Sequence, residues 1–155
     1  MLKDQQHDIN PATFITPILA ASNFTDLDAD NAASSSSGAA ITDEAYATEF
    51  LHDKDVFPDS FFVRMDTKPS VAALLRFGYV NDGQSIAAAV LADQFLDSEG
   101  VDLNGETNNT YFEVTPTETA YIPEGGLLFL WISTDPTDLA GMRVGMRWTE
   151  RRVVQ

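Results

Sequence analysis

The chain of 155 residues contains no cysteine, only two histidines and only nine lysine and arginine residues. Without cysteine there are no disulfides, thiolate nucleophiles or cysteine-ligated zinc. Nor does the chain depend on an oxidising compartment. Its longest apolar runs, "LLFLWI" and "IAAAVLA", fall far short of the ~20 residues that span a bilayer. The opening "MLKDQQHDINP" carries no apolar core of signal-peptide length. A soluble, unprocessed protein is expected. Two N-x-T sequons, at Asn23 and Asn108, matter only in a secretory pathway, of which there is no sign.

The shortage of basic residues is lopsided. Twenty-four acidic residues against nine basic ones give a net charge of −15. Residues 1–140 hold only Lys3, Lys54, Arg64, Lys68 and Arg76 as cations, whereas residues 141–155 set Arg143, Arg147, Arg151 and Arg152 against the lone Glu150. A surface this acidic repels phosphate, which argues against binding DNA, RNA or anionic lipid. It favours solubility and leaves room for a basic partner surface.

The residues that carry chemistry do not assemble into a recognisable set. His52 sits beside Asp53 and Asp55, but a triad also needs a placed nucleophile. Ser34 to Ser37 lie in the low-complexity run "AASSSSGAA", and no G-x-S-x-G occurs. With 24 carboxylates, some pair falls at glycosidase separation by chance. "DLDAD" places Asp26, Asp28 and Asp30 as in the start of an EF-hand loop. Asn31 then replaces the required glycine, and Ser37 replaces the bidentate glutamate. "GMRVG" and "EGG" are glycine pairs without a phosphate-loop lysine. A non-enzyme without metal or cofactor is expected.

What is present is mainly β patterning. Residues 1–60, with 11 acidic and two basic residues, read as an N-terminal arm and an acidic Ser/Ala-rich segment. Residues 61–155 read as a β-sandwich domain. In the arm, "ATFITPILA" (12–20) is apolar and broken by Pro17, which restricts it to an edge strand or an extended arm. "ITDEAYATEFLHD" is read as a short helix, and "SIAAAVLADQFLD" as a second, with Ala88, Leu91, Ala92, Phe95 and Leu96 on one face. "FFVRM", "AALLRFGYV", "TYFEV" and "TAYI" read as strands separated by turns. In "IPEG", Pro123 fits the second position of a type I turn and Gly125 the fourth.

Two C-terminal strands carry the strongest pattern. In "LLFLWIS", Leu128, Leu130 and Ile132 lie on one face and Phe129 and Trp131 on the other. A strand apolar on both faces is covered on both. The second cover is either the chain itself or a neighbouring subunit. In "MRVGMRW", Met142, Val144, Met146 and Trp148 alternate with Arg143, Gly145 and Arg147, which marks a half-buried strand. Five to eight short strands predict an antiparallel sandwich or barrel.

The order "LLRFGYVNDGQS", "DQFLD" and "TYFEVTPTETAYIPEGGLLFLWISTDPTDLAGMRVGMRW" resembles the small head-decoration (cement) and related virion structural proteins of tailed bacteriophages. The likeness covers about residues 61–150 and departs at Met146, where a second valine would stand. It implies a jelly-roll-like sandwich, a homotrimer, and attachment to the major capsid protein on the outer surface of the virion. Phe14, Ile15, Ile18 and Leu19 are then candidates to anchor the arm on a partner by β-augmentation. Phe129 and Trp131 are candidates for a subunit contact, and Arg147, Arg151 and Arg152 for pairing with acidic groups of a neighbour. The rival reading is a receptor- or carbohydrate-binding module of a phage tail, which needs exposed aromatic rings in a row.

Overall fold

Alternating burial sorts the chain into strands. The computed structural model describes residues 12–26, 44–83, 95–96, 100–117 and 119–150. They form β1 (Ala12–Ile15), β2 (Thr25–Asp26), β3 (Glu44–Leu51), β4 (Val56–Arg64), β5 (Leu74–Val80), β6 (Val101–Asp102), β7 (Tyr111–Val114), β8 (Leu127–Ile132) and β9 (Arg143–Glu150). One sheet has the order β1-β9-β4-β7 and the other β2-β3-β8-β5-β6. The antiparallel pairs nest: β1 with β9, β3 with β8, β4 with β7, and β5 with β6. Phe61 of β4 stacks on Phe77 of β5 at 4.1 Å between ring centroids, so the two sheets face each other across a shared core. The protein is a mainly β, antiparallel sandwich.

The two patterned strands hold the core. Leu128, Leu130 and Ile132 of β8 share one buried cluster with Val144, Met146 and Trp148 of β9 and with Met142. Phe129 and Trp131 point to the other side of β8, yet each is only 2 % exposed. Both faces of β8 are therefore covered within a single chain.

Three expectations need correction. Residues 44–51 form β3, not a helix. Tyr46 packs on the core and Thr48 is buried, which is a two-residue period. Ala45, Tyr46 and Ala47 lie opposite Trp131, Leu130 and Phe129. A buried β8 without this neighbour would leave backbone groups unpaired, and that demand outweighs local helix propensity. The boundary at residue 60 falls inside β4, while β1 and β3 pair with β9 and β8. The N-terminal strands belong to the sheets. Finally, "TAYI" supplies one bridge, Ile122 to Val56, rather than a strand. The second expected helix lies mostly outside the described residues. Of it, Phe95 and Leu96 are buried, and Phe95 hydrogen-bonds Phe77 through the backbone (2.6 Å).

Local chemistry explains the edges and turns. Pro58 sits inside β4, where a register shift between Pro58 and Ser60 leaves Asp59 unpaired, and β7 begins to pair only at Phe61. That is where a sheet tolerates proline. Pro17 follows β1, an edge strand as its position demands. There Thr16 replaces a ladder contact: its Oγ1 accepts the Val144 N–H at 3.0 Å while its own N–H donates to the Val144 carbonyl at 2.9 Å. The turn before β8 is shifted by one residue from expectation. Gly126 N–H donates to the Pro123 carbonyl (2.9 Å), which puts Gly125, with φ of 74°, at the third position. Glycine adopts such a φ at no steric cost.

Two substitutions test this account by denaturant unfolding. Thr16→Val leaves the Val144 N–H without its acceptor in a buried site and is expected to cost about 1–3 kcal/mol. Gly141 has φ of 65°, and a Cβ there would collide with the Asp66 carboxylate. Gly141→Ala is therefore expected to destabilise by about 1–3 kcal/mol. Unchanged midpoints would contradict both assignments.

Candidate interaction surface

Strand parity decides which side chains leave the four-stranded sheet. Phe14, Phe61, Val63, Val144 and Met146 point into the core. The residues between them therefore point outward, in rows set by register. One row runs Ile15, Gly145, Phe62, Glu113. The next runs Arg143, Arg64, Tyr111. A third places Thr13 and Ser60 beside Arg147.

This face mixes apolar and cationic groups. Ile15 is 63 % exposed, Ile18 just beyond it 60 %, and Tyr111 64 %. Phe62 and Tyr111 have ring centroids 6.2 Å apart. The Arg147 guanidinium lies over the Phe62 ring at 4.8 Å, a contact worth about 0.5–1 kcal/mol when exposed. Arg64 Nη1 donates to Asp66 Oδ1 at 2.7 Å, and its Nη2 donates to Asn109 at 3.3 Å. Arg143 and Arg147 are exposed and have no carboxylate partner among the described residues. Gly145 lies buried between Ile15 and Phe62. A Cβ there would meet only Phe14 O at 3.6 Å and Phe62 at 3.8 Å, so packing within the chain does not demand glycine.

The residues singled out from sequence separate into three groups. Ile15, Ile18 and Arg147 are exposed around this face. Phe14 and Leu19 are held by the fold: Phe14 packs on the core, and Leu19, 1 % exposed, bridges Met142. Phe129 and Trp131 are likewise buried in the single chain, which removes them as a subunit contact. Arg151 and Arg152 lie outside the described residues. Sequence reasoning missed Phe62, Arg64 and Tyr111 as members of the face. Arg143 was visible on the outward row of β9, but only the register of β4 and β7 shows what stands beside it.

The other candidates have structural surroundings. His52 packs its ring edge against Trp148 at 4.7 Å and lies 3.6 Å from the Asp53 carboxylate. Of "DLDAD", Asp26 belongs to β2, whereas Asp28 and Asp30 lie outside the described residues. Among the described residues no three His, Asp or Glu side chains gather as a metal site. No family model, curated protein or solved structure matches this chain.

Unfolding of the isolated protein separates core from surface. Trp131→Ala is expected to cost about 3–5 kcal/mol even in the monomer, whereas Ile18→Asp stays within about 0.5 kcal/mol. A small cost at Trp131 would mean that its cover comes from a partner.

Proposed function

We propose that this protein is a non-enzymatic structural component of a tailed-phage virion. In this reading it binds the outer surface of the major capsid protein, decorates or cements the head, and assembles with copies of itself as a homotrimer. One observation carries the proposal: an outward sheet face with exposed Ile15, Ile18 and Tyr111 around Arg143 and Arg147, which have no carboxylate partner among the described residues. Aromatic residues and arginine are enriched where proteins meet, and lysine, aspartate and glutamate are depleted.

Two further features support it. With the two-residue β2 set aside, eight strands pair first with last, second with seventh, third with sixth and fourth with fifth. We read this as a jelly roll, an architecture used by viral capsid and lectin domains. Fold alone does not choose between those uses. The net charge of −15 suits the outside of a DNA-filled shell, because phosphate inside it would repel the chain.

The carbohydrate-binding alternative needs rings in a row. Phe57, Tyr121 and Tyr79 come nearest, at 6.3 and 5.8 Å, but they are tilted by 32° and 41°. Only Tyr121 among them is exposed. That geometry favours the protein-binding reading.

Co-sedimentation with intact particles from the same source tests it. The wild-type chain is expected at many copies per shell. Ile15→Thr combined with Ile18→Asp is expected to weaken binding tenfold or more, equivalent to about 1.4 kcal/mol. Absence of the wild-type chain from the particles would overturn the virion reading, and binding on a glycan array would support the alternative.

A further inference from the structure

The outward arginines raise a question of partner chemistry. The chain carries −15 overall, yet Arg143 and Arg147 stand exposed without a carboxylate partner among the described residues. Elsewhere the fold does the opposite and collects carboxylates. Asp55 Oδ1 accepts the Glu124 N–H at 3.0 Å, and Gly125 N–H donates to the His52 carbonyl at 2.9 Å. A Cβ on Gly125 would lie 3.2 Å from Asp82 Cβ. These bonds draw the segment after β3, the turn before β8 and the turn after β5 to one corner of the sandwich. Asp53, Asp55, Asp82 and Glu124 are all exposed there, with Lys54 as the neighbouring cation.

We propose that the arginine face of one copy docks on this acidic corner of a second copy of the same chain. The inference deepens the self-association in the proposed function and rests on that part of it. Three points support it. The face sets Arg64, Arg143 and Arg147 against Glu113 and Asp66, whereas the corner sets four carboxylates against Lys54, and strands and turns hold both in place. They are different surfaces of one chain, so the contact is heterologous, and such contacts close into rings when the rotation between copies allows. Arg147 is already stacked on Phe62, so less side-chain freedom is lost when it meets a carboxylate. Two chains of like net charge repel at a distance. At physiological ionic strength that repulsion is screened over ~8 Å, while pairs shielded inside a contact are screened much less.

Charge reversal in the full chain, read by sedimentation velocity at micromolar concentrations, tests the contact. The wild-type chain is expected to form a closed oligomer. Arg143→Glu with Arg147→Glu is expected to weaken association at least tenfold while lowering the melting temperature by no more than the few degrees that loss of the Arg147–Phe62 contact explains. Asp53→Lys with Glu124→Lys should do the same from the other surface. A chain carrying all four reversals regains complementarity and should associate again. The inference is overturned if the wild type stays monomeric at tens of micromolar, if either double reversal assembles like the wild type, or if the fourfold variant remains monomeric. Co-sedimentation of the wild-type chain with particles is scored separately, so capsid binding and this self-contact can fail independently.

Discussion

Strand β8 is the constraint on which the rest of the structure depends. Its six residues, Leu127 to Ile132, are all apolar, and both faces must leave water. Leu128, Leu130 and Ile132 take the space between the sheets. Phe129 and Trp131 are buried on the other side. Both edges of so buried a strand need hydrogen-bonding neighbours. β3 supplies one and β5 the other. The N-terminal part of the chain is thereby drawn into the fold, because β3 has to come from somewhere and residues 44–51 supply it.

Strand β9 obeys the opposite rule, and the proposed function is argued from that difference. It buries one face only. Val144, Met146 and Trp148 enter the core while Arg143 and Arg147 are left outside. Its neighbours β1 and β4, with β7 beyond β4, set Ile15 and Phe62 beside Gly145 and Arg64 and Tyr111 in line with Arg143. The chain buries both faces of β8 in one sheet and leaves the outer face of the other with a composition suited to a partner. Reading the chain as a part of a larger assembly rests on this asymmetry between its two sheets.

Much of this was legible in the residues. The two-sided character of "LLFLWI", the alternation of "MRVGMRW" and the edge position forced by Pro17 all reappear in the structure. What was not legible has identifiable causes. "EAYATEFL" places Tyr46 and Phe50 four residues apart, which mimics a helical face, and only its pairing with β8 decides for a strand. Pro58 conceals the first half of β4, because a proline in a strand is permitted only by a local irregularity that sequence does not reveal. The interaction face was half visible for the same reason. Arg147 and Ile15 could be named one at a time, but their meeting with Phe62 and Tyr111 is a matter of register between strands distant in the chain. Phe129 and Trp131 show the converse limit: pattern marks them for burial without saying whether the chain itself or a neighbour provides it.

Hydrogen–deuterium exchange addresses the central claim most directly, comparing the dilute isolated chain with the assembled state. Amides of β8 are expected to be strongly protected in the isolated chain, with little further change on assembly. New protection should concentrate in residues 13–18 and 143–147 and, from the self-contact, around residues 53–55, 82 and 124. If β8 exchanged freely in the isolated chain and became protected only on assembly, the sandwich would not be closing on itself, and the account would be wrong at its root.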